Sequence, residues 1–158
     1  MLSRVAENLY WFGRYVQRAE NTARLINVNA NLMLDLPRRM PLGWSPLIEI
    51  VGAVPKFREL YPEATEDNVV RFLMVDPRNP GSIQTSLHNA REILRVSRDT
   101  MPRDTWERLN DIYFYVQERG DSAVQRAGRQ AFVQQVISGA LLVYSVLTSN
   151  MSRDVGFQ

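Results

Sequence analysis

Apolar and small residues recur along the start of the chain without a missed step. Val5, Leu9, Phe12, Val16, Ala19, Ala23, Ile26, Ala30 and Met33 follow one another at alternating intervals of four and three. That spacing keeps one edge of an α-helix turned toward its neighbours along the full length. It predicts a helix ending before Pro37, with Ser3 as cap, because a serine hydroxyl can accept a backbone N–H of the first turn. About 33 residues at roughly 1.5 Å each make a rod of roughly 50 Å. Such a rod needs long partners, so the pattern implies an elongated bundle rather than a globin-like ball.

Shorter elements follow. Arg38 to Gly43, which includes Pro41, reads as a loop. Ser45-Pro46 reads as the cap and first residue of a short helix through Leu47, Ile48, Ile50 and Val51, broken by Gly52 and Pro55. Lys56 to Tyr61 can add another turn or two. Thr65 can cap a helix carrying Val69, Val70, Leu73 and Met74, and Asp76 to Gly81 reads as a firm loop.

Three long helices then complete the pattern. Ser82 caps one with Ile83, Leu87, Ala90, Leu94 and Ser97 on its seam. Pro102 starts the next, with Trp106, Leu109, Tyr113 and Val116 inward and an end at Gly120. The last runs from about Ser122 or Arg129 to Thr148, with Phe132, Val136, Ile137, Ala140, Leu141, Tyr144 and Leu147 inward. Few segments alternate with period two, so no sheet is expected. The fold class is all-α: an elongated bundle of about four long helices with short connecting helices.

The bundle is assigned to residues 1–149. Ser149-Asn150 reads as a helix break and Ser152 as the cap of a new helix, too short to stand alone. Met151-Ser152-Arg153 also echoes Met1-Leu2-Ser3-Arg4. Residues 150–158 are therefore read as the start of a second half.

Composition narrows the class. The 158 residues are 45% hydrophobic and 23% charged, which suits one domain with a real core. There is no cysteine, so no disulfide and no thiolate metal site, in keeping with a reducing cytoplasm. Arg4 and Glu7 interrupt any apolar leader. The most apolar stretch, Phe132 to Leu147, includes two glutamines and two serines and reads as a core helix, too short for a bilayer. A net charge of +2 steers weakly, so neither nucleic acid nor membrane is an expected partner. Of the 19 basic residues, all but Lys56 are arginine. Either codon usage favours arginine, or guanidinium forks are needed for carboxylate or phosphate groups.

On a helical wheel the first helix sets Glu7, Arg14, Arg18 and Asn21 on a line opposite the seam. Gln17 lies beside them, and Tyr10 and Trp11 flank the line. Arg14 and Arg18 are four apart and repel unless an anion sits between them. The helix from Ser82 repeats the theme with Gln84, His88, Arg91, Arg95 and Arg98, partly compensated by Glu92 and Asp99. Each stripe is either a solvated face or an anion site, and the two could face one groove.

Other chemistry finds little footing. His88 is the sole histidine, and no Gly-x-Ser-x-Gly elbow or glycine-rich phosphate loop is present. Glu7, Glu20, Glu92 and Glu107 could supply a carboxylate pair for acid–base work, but spacing alone does not bring them together. No catalytic residue, metal or cofactor is assigned.

Ser3-Arg4 through Arg24, read as S-R-x-A-E-N-L-Y-W-x-G-R-Y-x-Q-R-A-E-N-T-A-R, resembles the opening of the bacterial alpha-E domain proteins, helical proteins named for a Glu-Arg motif. Ser82-Ile83 to Asp99 resembles the family's S-I…A-R-E-N-A-R…R-D helix, with Ile93-Leu94 in place of Asn-Ala. Trp106-Glu107-Arg108-Leu109-Asn110 resembles its W-E-x-L-N, and Met151 to Asp154 the start of its second half. The family's Glu-Arg stands here as Gln17-Arg18, and a glutamine cannot carry the charge or the proton of a glutamate.

The resemblance implies a protein about twice as long and a molecular function not yet assigned. It also implies a neighbourhood: such domains are encoded beside, or fused to, a circularly permuted ATP-grasp protein and a transglutaminase-like peptidase. The expectation is a helical binding or scaffold module serving a peptide-ligase system, with an ATP-grasp-type ligase or an acidic peptide as partner. Arg14, Arg18, Gln17, Glu7, Asn21, Tyr10, Trp11, Arg91, Glu92 and Arg95 are the expected contacts. The alternatives are an enzyme or cofactor-handling domain completed by a second half, and an oligomerisation module that buries its exposed seams against copies of itself.

Overall fold

The seam of the first helix decides the architecture. In the structure, a computed structural model that describes residues 2–35 and 43–156, α1 runs unbroken over Leu2–Asp35. Phe12, Val16, Ala19, Ala23 and Ile26 are fully buried, and Leu9, Ala30 and Met33 pack against them. α1 already includes Ser3, which therefore lies inside the first turn instead of capping it. The expected loop over 38–42 lies outside the described residues.

Three further long helices surround that seam: α5 (Ile83–Val96), α6 (Arg103–Ala123) and α7 (Arg126–Gly156). α1 packs on α5 and α7, and α6 closes the ring between them. Cross-contacts give the directions. Asn8 on α1 donates to Ser97 just past the end of α5 at 2.9 Å, and Tyr144 late in α7 donates to the Gly13 carbonyl at 2.5 Å. Both helices therefore run antiparallel to α1, and the bundle is up-down-up-down. α5 has 14 residues against 34 for α1. Three short helices, α2 (Ser45–Ile50), α3 (Val54–Leu60) and α4 (Glu66–Met74), fill the remaining length and pack on α1, on one another and on α5. No strand occurs among the described residues.

Local chemistry explains most boundaries. Thr65 and Ser82 cap α4 and α5, their hydroxyls accepting from Asn68 N and Thr85 N at 3.2 and 3.1 Å. Gly52 ends α2 with φ +70°, where a side chain would be strained. Three boundaries differ from the sequence expectation. Ser45 is already helical after Trp44, and Pro55 sits in the first turn of α3, where its missing N–H is harmless, so it starts a helix rather than breaking one. α6 passes through Gly120 to Ala123, because the glycine serves packing: a Cβ there would lie 2.6 Å from Val75 Cγ1. α7 continues through Ser149 and Asn150 to Gly156 with no break.

The face of α7 also differs in one position. Phe132, Val136, Ile137, Ala140 and Leu147 are buried and Tyr144 half-buried, but Leu141 is 47% exposed, and Val133 and Val143 take the inward places. The run Ala140 to Val143 is apolar throughout, so its periodicity carried no phase. Arg126–Ser149 is 24 residues and, by length and composition, enough to cross a membrane. Here its apolar edge is covered by α1 and α6.

The loop after α4 is held by charge. Asp76, 4% exposed, accepts from Arg78 N and Nε at 2.9 and 3.0 Å through Oδ1, and from Arg78 Nη2 at 2.9 Å and Tyr61 Oη at 2.5 Å through Oδ2. Burial opposes its charge, but the bonds from Arg78 and Tyr61 outweigh that and hold the carboxyl at about 2, below the ordinary 3.8. Burial and the same carboxylate push the Tyr61 hydroxyl up to about 12. Asn79 locks the turn, donating to the Phe72 carbonyl at 2.8 Å and accepting from Gly81 N at 3.0 Å.

Asp76→Asn is expected to lower stability by about 2 kcal/mol near neutral pH, since it removes charge-assisted bonds from a buried acceptor. A depressed carboxyl stabilises the fold above its unfolded pKa, so the gap between wild type and variant should hold above pH 3.8 and close as pH falls toward 2. Chemical denaturation across that range checks both. Gly120→Ala should destabilise by about 1–3 kcal/mol through overpacking on Val75. Gly13→Ala, with nothing within 4 Å of a new Cβ, should stabilise by about 1 kcal/mol. Thermal melts of the two variants separate packing from helix propensity.

Candidate functional site

The polar line of α1 is where the sequence places it. Glu7, Arg14, Gln17 and Asn21 are exposed, Arg18 is half-exposed, and Tyr10 and Trp11 present 57% and 42% of their surface. The aromatics form a ladder. Tyr10 meets Trp11 edge-on at 5.3 Å, Trp11 lies 6.1 Å from Tyr15, and the Arg18 guanidinium sits 5.7 Å from the Tyr15 ring centre.

Arg14 and Arg18 are among the described arginines without an ion pair, with Arg4, Arg58, Arg91, Arg98 and Arg119. Among the described residues no carboxylate comes within ion-pair distance of either. Arg24 by contrast holds Glu20 at 2.8 Å, and Arg71, Arg78, Arg95, Arg103, Arg108, Arg126 and Arg129 each reach an acidic partner. α1 therefore carries two like charges one turn apart and unanswered.

The second stripe does not join the first. Arg91 turns to α6, where its Nε donates to Asn110 Oδ1 at 2.8 Å. Its guanidinium lies 5.3, 4.8 and 5.4 Å from the rings of Trp106, Tyr113 and Phe114. Arg98 covers the same Trp106 at 4.8 Å, and His88 rests 6.4 Å from Tyr113. Arg95 is held by Glu92 at 2.9 Å. The charged α5 residue that does face α1 is Glu92: with Asn89 and Ile93 of α5 and Glu7, Asn8, Trp11 and Tyr15 of α1 it lines an open groove of about 420 Å³. Two carboxylates and an aromatic wall, not two arginine rows, face each other there.

A further polar cluster joins segments that no local spacing connects. Arg126 grips Glu66 with two bonds, Nε to Oε2 at 2.8 Å and Nη2 to Oε1 at 2.7 Å. Arg129, 6% exposed, adds Nη1 at 3.0 Å from Glu66 Oε2, donates Nη2 to the Val124 carbonyl at 2.6 Å, and lies 5.3 Å from the Trp44 ring centre. The bond from Arg126, then that from Arg129, holds the Glu66 carboxyl below the glutamate range against the opposing effect of burial. A buried arginine near the start of an apolar helix was the only sequence signal for it. No group of three His, Cys, Asp or Glu side chains among the described residues could hold a metal.

Comparison with known proteins adds the following. A family model described as Alpha-E, a predicted alpha-helical domain with a conserved ER motif, matches residues 1–158. An uncharacterised protein of Mycobacterium bovis is 28% identical over 98% of this chain, and an uncharacterised protein of Mycobacterium tuberculosis is 27% identical over the same share. The match covers 20% of each relative, so the chain spans about a fifth of their length. No solved structure matches. Literal Glu-Arg pairs occur at Glu107-Arg108 and Glu118-Arg119 on α6, whereas the stretch of α1 that resembles the family's opening holds Gln17-Arg18. Two other stretches of resemblance meet in space: Arg91 of A-R-E touches Trp106 and Asn110 of W-E-R-L-N.

Arg91→Lys keeps the charge but loses the planar contact with three rings and the fixed donor to Asn110. It is expected to cost about 1–2 kcal/mol. A matching Arg95→Lys change, at an exposed pair, should cost under about 0.5 kcal/mol. Urea denaturation of both variants checks the contrast.

Proposed function

The chain belongs to the alpha-E family, and from that premise we propose that it is a non-catalytic binding module for an acidic peptide segment, held on the outer face of α1. One observation carries the reading: Arg14 and Arg18 are the cations on that face left without a carboxylate, while most other described arginines are paired. Two guanidinium groups one turn apart repel, and a carboxylate seated between them converts repulsion into charge-assisted hydrogen bonds. Gln17 and Asn21 add amide donors and acceptors along the same line. Tyr10 and Trp11 supply rigid, half-apolar surface on which a peptide backbone can lie at small entropic cost.

The resemblance supports the kind of partner. A neighbourhood of ATP-grasp and transglutaminase-like proteins suits a peptide-making or peptide-modifying system, in which an acidic product or the ligase itself has to be held. The setting proposed is cytoplasmic. Arg91, Glu92 and Arg95 play a structural part in this reading, since their charges are answered by α6 side chains or by each other. Glu7 borders the face and excludes acidic side chains from the groove toward α5, which gives the bound segment a direction.

A fluorescent hexaglutamate peptide is expected to bind the wild type with strong salt dependence. Arg14→Ala/Arg18→Ala should weaken it at least tenfold, a change of about 1.4 kcal/mol or more. Equal affinity of both proteins, with circular dichroism showing both folded, would remove the α1 face as the site. Sedimentation at the same concentrations reads the competing outcome, self-association without peptide binding.

A further inference from the structure

We infer that the outward face of α7 is the surface on which two copies of this chain pair, helix against antiparallel helix, as a reversible dimer. Ala131, Gln135, Ser138, Leu142, Ser145 and Ser149 are all exposed and follow one another at intervals of four and three. The buried seam of α1 has the same spacing, which marks a helix edge that another helix can line along its length. Leu142 is 47% exposed, and so is Leu141 beside it.

Charge sets this face apart. No charged residue occurs between Arg129 and Arg153, although 23% of the chain is charged. The neighbouring helices carry ion pairs on their outer surfaces, Arg24 with Glu20 on α1 and Arg108 with Asp111 on α6. Only 39% of the most apolar stretch of α7 is buried inside the fold. A solvated face has no need to exclude charge over such a length. A covered face does, because an unpaired charge there loses its hydration, and interface centres are depleted of charge for that reason.

The seam is complementary to itself in reverse, which selects a second copy as the cover. A two-fold axis that sets Ser138 of one copy against Leu142 of the other also sets Gln135 against Ser145 and Ala131 against Ser149. The two larger side chains then each meet a serine. Room for the leucine lies on the same face, in a cleft of about 200 Å³ lined by Ser138, Gly139 and Leu142 of α7 and by Ile112 and Tyr115 of α6. An isologous contact requires knob and hole on one surface. The Gln135 amide both donates and accepts, and a serine hydroxyl can answer either way. A bilayer would leave that amide unpaired and would draw in Arg108 and Asp111, which also line the cleft. A charged partner would find no counter-charge. One helix-wide strip covers less than the about 800 Å² per partner of a stable complex, so the dimer is expected to half-form at roughly 100 μM. The face shares no residue with the α1 line of Arg14 and Arg18.

The test uses the full 158-residue chain. Sedimentation equilibrium from about 10 μM to about 1 mM is expected to show passage from monomer to dimer. Leu142→Arg, a change at an exposed position, should weaken pairing about tenfold or more while circular dichroism stays that of the wild type. The chain has no cysteine, so introduced cysteines report direction whether or not that variant folds. A mixture of Ala131→Cys and Ser149→Cys should be joined by a short bis-maleimide. Neither variant alone should be, because its own residue recurs roughly 27 Å away along the paired helix. Arg14→Ala/Arg18→Ala should dimerise as the wild type does, which keeps this face distinguishable from the peptide site. The inference is overturned by a monomer at every concentration, by wild-type pairing in Leu142→Arg, or by cross-linking of either cysteine variant with itself in place of the mixture. A monomer that floats with neutral phosphatidylcholine vesicles overturns it in favour of lipid as the cover.

Discussion

The unbroken four-three seam of α1 is the constraint on which the rest of the molecule depends. A helix of 34 residues buries Phe12, Val16, Ala19, Ala23 and Ile26 only if other elements cover its whole length. α7 does so in one piece. α5 does so for part of the way, and α2 and α4, with α3 packed on α2, cover what α5 leaves. The short helices are therefore not decoration on a four-helix core. They complete a wall that one partner helix is too short to complete.

Charge is distributed around that frame with a clear division of labour. Buried or half-buried arginines are tied down. Arg129 is held by Glu66 and a carbonyl, and Arg91 by Asn110 and three rings. Removing a partner from such a group leaves a charge without solvent or counter-charge, so these residues belong to the fold's stability. Arg14, exposed, and Arg18, half-exposed beside the Tyr15 ring, lie outside this arrangement. Acidic groups pair with buried and exposed arginines elsewhere, and none among the described residues reaches Arg14 or Arg18 on α1.

Much of this was legible in the sequence because helical periodicity is a local signal. The seams of α1 and α5 and the caps Thr65 and Ser82 follow from residue spacing and from hydroxyl chemistry. Misreadings arose where the deciding partner is distant. Gly120 looked like a helix end because the reason for it, Val75, lies 45 positions earlier on another element. Leu141 could not be phased within a uniformly apolar run. Whether the stripes of α1 and α5 share a groove stayed open in the sequence, because a wheel of α5 alone cannot reveal that Arg91 turns toward Trp106 and Tyr113. The Glu66, Arg126 and Arg129 cluster spans about 60 positions and leaves no periodic trace.

The antiparallel pairing of α1 with α7 has a kinetic consequence. α6 and α7 are joined by a two-residue turn and can pair as soon as both have formed. The contact of Tyr144 with Gly13 closes a loop of 131 positions. Loop-closure entropy delays such long-range contacts, and contact order slows the step that makes them. Loop-closure entropy alone places the docking of α1 on α7 after the pairing of α6 with α7. The long seam that defines the bundle is read last in folding, although it is written first in the chain.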